Sequence, residues 1–347
     1  MRNHAHRISD SPANLKRFLG ALRGNVVILS HVDADGLCAA TIFKRFLEKA
    51  GIRYRHVWPD KGENAYTPAT IKRLREIKPD ALIVLDLGVM ADDLVAGVPT
   101  LFIDHHRPYG RPPGALVVSS YGEDPTPPTT YVAYDALSAV GNGLEDIAWL
   151  CAIGTAGDIG TGFVFEHKEC ATGEFKRKDV VNAEVLINSA KRASAYDIAA
   201  SAGLLDNAKI LDDLVRADSP AVAKLSSYRR EVNSEVRRCR HEGPNFLWRV
   251  AVIPFKSQCD IQGLIAEPWR RRLSKYFVIA ANFGYIEGKV AYVIRTQLET
   301  SVIDFMESLK PTGYAGHVVF GHDRAGSGLI EKDIWEAIAA RMGFKDK

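Results

Sequence analysis

Aspartates and histidines recur together at four points of this sequence. They stand in His31-Val32-Asp33-Ala34-Asp35-Gly36, at Asp86 in Leu85-Asp86-Leu87-Gly88, in Asp104-His105-His106, and at Asp158 in Gly154-Thr155-Ala156-Gly157-Asp158. Gathered in one place, several carboxylates would repel one another, and removal from water would worsen the repulsion. Cations relieve both effects. A mixed Asp and His ligand set suits borderline divalent ions such as Mn2+, Co2+ or Zn2+, whereas Mg2+ prefers oxygen-only shells. Two such ions about 3.5–4 Å apart, sharing one carboxylate, would clamp a phosphoryl group and generate hydroxide. A single Asp after a strand is more simply a helix cap, and Asp-His-His alone a polar turn. Four such groups at comparable positions point to a shared purpose.

Those positions are the ends of predicted elements. Residues 25–30 (NVVILS), 81–85 (ALIVL) and 100–103 (TLFI) are short apolar runs, as strands buried on both faces require. Residues 54–57 and 115–118 are further strand candidates. Helical spacing runs over 37–50, stopped by Gly51, and over 68–77, 130–140 and 144–156. This alternation predicts a mainly parallel sheet flanked by helices. The first His/Asp group follows the first strand, Asp86 the third and Asp104-His105-His106 the fourth; Asp158 lies near a helix end. Loops at the carboxyl ends of parallel strands line one crevice, so the groups are expected to converge. Gly36 opens a helix whose free N–H groups favour anions.

Further along, residues 161–178 are polar and aperiodic. They are expected to form an insertion that borders the site and influences substrate length. Residues 179–240 are predicted helical, with breaks at Gly203 and Ser219-Pro220. From Gly243 onward, strands at 249–254, 277–282 and 290–294 and helices at 262–273, 300–309 and 331–342 predict a second, smaller α/β domain. The expected division is a first domain over 1–200, a helical connector over 201–242 and a second domain over 243–347.

Composition narrows the field. The chain has 347 residues, 46% hydrophobic and 25% charged, which excludes a disordered chain, a collagen-like repeat and a disulfide miniprotein. With 45 Lys and Arg against 42 Asp and Glu, the net charge is +3, too small for a general duplex-binding coat. The charge is divided, however. Twelve Lys/Arg and five acids between Lys224 and Lys275 give that stretch +7 and leave the remainder at −4. The five cysteines (38, 151, 170, 239 and 259) are odd in number and form no Cys-x-x-Cys pair, as expected of a reduced protein. No run of about 18 apolar residues is present to span a membrane. The expected location is cytoplasmic, with no membrane partner.

The four first-domain groups together resemble the motifs of the DHH phosphoesterase superfamily, which includes RecJ exonucleases, nanoRNases, cyclic dinucleotide phosphodiesterases and family II pyrophosphatases. The resemblance implies that Asp33, Asp35, Asp86, His105 and Asp158 hold two divalent ions, Mn2+ first and Mg2+, Co2+ or Zn2+ as alternatives, with Asp86 as the bridge. His31 matches a motif histidine present in some branches and joins the metal set on that basis. His106 and Asp104 are assigned to catalysis, His106 facing the scissile phosphate and Asp104 orienting His105 or the loop.

The segment Gly313-Tyr-Ala-Gly316-His317-Val-Val-Phe320-Gly321-His322-Asp323-Arg324-Ala325-Gly326-Ser327-Gly328 is glycine-rich. Such a loop can bring backbone N–H groups to a phosphate, or pack a tight turn against a sheet edge. With Arg295 upstream, it resembles the C-terminal domain that accompanies DHH domains in nucleases. Phe320 departs from the usual glycine, and Ala325-Gly326-Ser327-Gly328 from the usual loop ending. The resemblance implies that Arg295, Gly321 and His322, helped by Arg324, hold substrate phosphates or sugars in an interdomain cleft. The pyrophosphatase branch carries a different C-terminal domain. The arginines of 225–240 and the Trp269-Arg270-Arg271-Arg272 run are either a solvated face or part of a polynucleotide path.

The activity so implied is metal-dependent phosphodiester hydrolysis of single-stranded DNA or RNA, or of short oligonucleotides, which the modest chain length favours. The alternative substrate is a small phosphorylated compound such as a cyclic dinucleotide or a nucleoside bisphosphate. A non-enzymatic scaffold is disfavoured, because an idle acidic cluster would only cost stability. A homodimer is allowed for.

Overall fold

Short apolar runs separated by amphipathic helices need a sheet covered on both faces, and the first part of the chain builds one. The computed structural model describes residues 9–141, 143–215 and 219–344. Helix α1 (Pro12–Ala21) starts at Ser11, whose hydroxyl accepts from the Asn14 amide. There follow β1 (Val26–Ser30), α2 (Ala34–Lys49), β2 (Tyr54–Val57), α3 (Pro68–Ile77), β3 (Ala81–Leu85), β4 (Thr100–Asp104), β5 (Leu116–Ser119), α4 (Thr129–Ser138) and α5 (Trp149–Asp158). β1, β3 and β4 are buried at every position, as their unbroken apolar runs predict. The five strands pair in parallel in the order β2-β1-β3-β4-β5.

That order reverses direction at β1: the chain steps to β2 on one side and to β3 on the other. In open α/β sheets the crevice beyond the carboxyl ends at such a reversal is where ligands bind. His31 and Asp33 leave β1 there, and Asp86 leaves β3. Helix α2 carries Asp35 in its first turn and is buried almost without interruption from Ala34 to Lys44, because α4, α5 and α7 (Ile198–Asn207) pack around it.

Helices α6 (Arg177–Arg192), α7, α8 (Leu211–Val215) and α9 (Pro220–Cys239) occupy the region expected to be helical. The expected break at Gly203 is absent: it lies inside α7, in open space, where a helical glycine costs only about 1 kcal/mol. The first break comes instead at Tyr196, whose backbone is left-handed (φ +50°), before Asp197 caps α7 through the Ala200 amide. The helix predicted over 144–156 begins at Trp149, after a 3-10 turn at Glu145–Ile147.

The chain divides into two compact units. The first takes the chain up to Lys191 together with Asp197–Ser227; the second takes Arg192–Tyr196 and the chain from Tyr228 onward. The stretch 201–242 therefore contributes to both units.

The second unit contains β6 (Asn245–Leu247), β7 (Val250–Phe255), α10 (Gln262–Arg272), β8 (Phe277–Asn282), β9 (Lys289–Thr296), α11 (Val302–Ser308), β10 (Phe320–His322), β11 (Ala325–Glu331) and α12 (Lys332–Met342). Its six-stranded sheet runs β10-β11-β9-β8-β7-β6, with β7 and β8 parallel and the other pairs antiparallel. The glycine-rich segment, read from sequence as a loop before a helix, ends as a hairpin turning at Asp323-Arg324. Its glycines allow close packing. A Cβ on Gly328 would lie 2.4 Å from the Val318 carbonyl oxygen and 2.6 Å from the Tyr292 ring. Gly328→Ala should therefore destabilise the second unit by about 1–3 kcal/mol, read as a lower urea midpoint with an unchanged slope.

Candidate metal centre

Asp33 is the N-cap of α2: its Oδ1 accepts from the Gly36 amide at 3.2 Å. That leaves Oδ2 facing His31 Nδ1 at 2.7 Å and Lys191 Nζ at 3.5 Å. One oxygen of this carboxylate holds the helix and the other is available to the site. Asn188 fixes the same turn by accepting from the Ala34 amide at 2.8 Å.

Asp35 is 4% exposed. The amides of Thr129 and Thr130, at the open N-terminus of α4, each donate to it at 2.8 Å, and the Thr130 hydroxyl donates to it as well. A helix N-terminus offers unpaired N–H groups and partial positive charge, a natural seat for a buried carboxylate. Gly154 of α5 supplies the room. A Cβ there would fall 2.2 Å from Thr130 Oγ1 and 3.0 Å from Asp35 Oδ1.

Asp86 follows β3 in a left-handed conformation (φ +65°). Asp tolerates that region better than most residues, and a strained backbone of this kind persists where its surroundings fix it. The turn spreads its two oxygens. Oδ1 accepts from the Thr129 hydroxyl at 2.9 Å and faces His105 Nε2 at 3.2 Å, while Oδ2 faces His31 Nδ1 at 3.3 Å.

Asp104, at the end of β4, accepts from the Gly88 amide through Oδ2 and from the His106 amide through Oδ1, both at 2.7 Å. The same Oδ1 lies 3.0 Å from His106 Nδ1. Asp104 thus contacts loop backbone at Gly88 and His106 and the His106 ring. His105 is buried with Nδ1 3.5 Å from Asp158 Oδ2, and the two imidazoles meet edge to face. Among the described residues of the first unit, three sets of ligand atoms lie close enough to share an ion: Asp35, Asp86 and His105; His31, Asp33 and Asp86; and Asp86, Asp104 and His106. Asp86 is common to all three.

The electrostatics show how much positive charge the cluster needs. Burial alone would push the imidazoles toward neutrality, yet the surrounding carboxylates outweigh it. His31 rises to about 9, chiefly against Asp33; His105 rises well above its ordinary value against Asp158, Asp86 and Asp35; His106 rises against Asp104. Asp35, buried and beside Asp86, is pushed up to about 8. Despite burial, Asp33 and Asp86 are held below the usual carboxylate range, Asp33 by His31 and Lys191 and Asp86 by His105 and His31. Protons thus supply the neutralising charge when nothing else does. Divalent ions are the natural replacement, and the oxygen and imidazole donors fit them.

The remaining expected residues belong to the second unit. Arg295 sits within β9, opposite Ala325; His322 pairs with Ala325 in the hairpin, with Gly321 (φ +135°) beside it; the Arg324 carbonyl accepts from the Thr296 amide at 3.1 Å. They cluster around one hairpin. The insertion at 161–178 forms short 3-10 turns at Lys168–Cys170 and Thr172–Glu174. Its His167 is held between Asp135 (3.0 Å) and Glu169 (3.2 Å), and its amide donates to Tyr131 on α4.

Sequence reasoning passed over Thr129, Thr130, Asn188 and Lys191. The signal for the threonines was Pro127-Pro128-Thr129-Thr130 before a helical run: an N-terminus without a side-chain cap, carrying hydroxyls. Asn188 and Lys191 carry no local mark and are recognisable only once α6 is placed.

Residues 25–155 match the DHH family, N-terminal domain, so the first unit carries a DHH-family domain. Solved structures share the fold. RecJ from Thermus thermophilus in complex with Mn2+ is 18% identical with a TM-score of 0.70, covering 98% of this chain and 55% of that one. Exonuclease RecJ bound to manganese is 19% identical with a TM-score of 0.59, covering 98% and 95%. The Thermus RecJ with Mg2+ is 17% identical with a TM-score of 0.62, covering 95% and 50%. The chain thus spans about half the length of the Thermus protein. No curated protein matches its sequence.

Two outcomes follow for the centre. Thr130→Val removes the hydroxyl that fixes Asp35 and should weaken divalent-ion affinity about 10–100-fold with the circular dichroism spectrum unchanged. Ion uptake should also strengthen with pH. His31 and Asp35 are protonated below about 9 and about 8 in the ion-free chain, so an ion must displace protons at neutral pH and fewer at higher pH. Competitive Mn2+ titration should give tighter binding at pH 8.5 than at pH 6.5.

Proposed function

We propose that the chain is a divalent-metal-dependent phosphodiesterase that hydrolyses single-stranded nucleic acid or short oligonucleotides. The observation that carries this reading is the trio Asp35, Asp86 and His105. All three are buried, their ligand atoms lie within 4.8 Å of one another, and the sheet reverses its order where they meet. Asp33, Asp35, Asp86, His105 and Asp158, with His31, are the ligands in this reading, and Mn2+ is the proposed ion. Bound there, a pair of such ions supplies a hydroxide nucleophile at neutral pH and offsets the charge that develops at phosphorus.

The protein's own groups divide the other work. Asp86 would be the ligand shared between the two ions, its two oxygens facing different imidazoles. The α4 N-terminus keeps Asp35 aimed with one amide on each of its oxygens. Asp104 accepts from the Gly88 and His106 amides and lies 3.0 Å from the His106 ring, so it holds that ring. An imidazolium held in that way can stabilise phosphoryl charge and pass a proton to a departing oxygen. In the second unit, Arg295, Gly321, His322 and Arg324 are proposed to hold substrate phosphates or sugars.

The deciding experiment is a Mn2+-supplemented substrate panel: single strands of DNA and RNA from dinucleotides to long oligomers, cyclic dinucleotides and nucleoside bisphosphates. Turnover of linear single strands is expected, and turnover confined to the small compounds would replace this reading. Asp86→Asn should lower kcat at least about 1000-fold, since the shared ligand is lost, while the melting profile stays cooperative. Retained Mn2+-dependent turnover in that variant would refute the mechanism.

A further inference from the structure

The second unit presents an aromatic edge that the metal chemistry does not use. β6 is the end strand of its sheet, and all three of its residues are exposed. Phe246 is 53% exposed, and its ring meets that of Tyr276 edge to face with centroids 5.4 Å apart. The next residue after the strand, Trp248, is 76% exposed. Its backbone is left-handed (φ +49°), a conformation that costs energy for a bulky residue. Trp248 and Arg249 form the two-residue turn between β6 and β7, where Leu247 pairs with Val250, and such a turn asks for a left-handed backbone; what that turn does not explain is why a large aromatic ring is held in water there.

The charges that flank these rings along the chain are of one sign. Arg249 follows Trp248, and its carbonyl accepts from the Phe277 amide at 2.8 Å, which sets it next to Tyr276. Lys275 precedes Tyr276. Both cations are exposed and have no ion-pair partner among the described residues. Residues 243–249 and 268–277 contain no Asp or Glu. Lysine is depleted at protein interfaces, and a three-residue edge strand is too short to template firm pairing with a second copy. Stacking faces flanked by unneutralised Arg and Lys match a single polynucleotide strand, whose bases stack on any aromatic ring and whose phosphates need cations.

We propose that this edge is a docking platform for single-stranded nucleic acid. Bases stack on Trp248 and Phe246, and Arg249 and Lys275 meet the phosphates. The inference rests on the reading above, that the substrate is a single strand, and adds a site that favours longer strands.

The test compares the full-length protein with its Trp248→Ala and Trp248→Phe variants. Fluorescence anisotropy would measure Kd for a labelled single strand of about 20 nucleotides, longer than the roughly 4–16 that one such platform covers. Turnover would give kcat/KM for the same strand and for a dinucleotide. Trp248→Ala should raise the long-strand Kd about tenfold and lower the ratio of long-strand to dinucleotide kcat/KM by at least about fivefold. Trp248→Phe, which keeps a stacking face, should restore most of both. An unchanged Kd in Trp248→Ala, or equal losses on both substrates, would overturn the platform. So would a wild-type dimer that Trp248→Ala makes monomeric without altering Kd, which would assign the edge to a second copy. Strand binding without hydrolysis in the wild type would refute the enzymatic reading and leave the platform standing. Hydrolysis with a Kd indifferent to Trp248 would do the reverse.

Discussion

Buried carboxylates that crowd together must be given positive charge, and the architecture of the first unit follows from that demand. Asp35, Asp86 and Asp104 are each 4% exposed or less, and an unpaired charge in such a setting costs several kcal/mol. The structure meets the cost with imidazoles, with the Lys191 ammonium beside Asp33, and with amides from the α4 N-terminus and the β3 turn. Each compensation constrains something else. The α4 N-terminus can approach Asp35 only because residue 154 has no side chain, and Asp86 can face two histidines only from a left-handed backbone.

A division of labour among carboxylate oxygens follows. Asp33 gives one oxygen to the cap of α2 and keeps the other for the site. The capping reading and the ligand reading of an Asp after a strand, alternatives at the level of sequence, are both realised in one residue. Asp104 gives both oxygens to positioning. Asp86 keeps both turned toward imidazoles. Three aspartates at three strand ends, alike in sequence, face different partners because the amides and imidazoles within reach differ.

This explains how far the sequence could be read. Strands buried on both faces announce themselves as unbroken apolar runs, so β1, β3 and β4 fall where ALIVL-type segments place them, and the residues after them were visible as a set. Their partners were not. Thr129 and Thr130 matter through backbone amides, which every residue has, and Asn188 reaches Ala34 across more than 150 positions. The interruption at Tyr196 left no trace because a left-handed tyrosine has no compositional sign, whereas Gly203 suggested a break that helical packing overrode. In the second unit, the glycines of β10 and β11 resembled a phosphate loop, but close packing against Val318 and Tyr292 gives them a structural reason as well.

Net charge takes on a different meaning in this light. A total of +3 excludes a general polyanion coat, but a total says little when opposite signs are spatially sorted. Five of the acids, Asp33, Asp35, Asp86, Asp104 and Asp158, are committed to one cluster, where two divalent ions would offset about four charges. Exposed charges separated by more than a Debye length of about 8 Å hardly sense one another at physiological salt. Arg249 and Lys275, with no acid in their own segments, therefore act on whatever lies within a few ångströms of them, whatever the sum over the chain. A local cationic surface and a neutral total are compatible, and the affinity of any strand held there should depend on salt through only the few phosphates that it contacts.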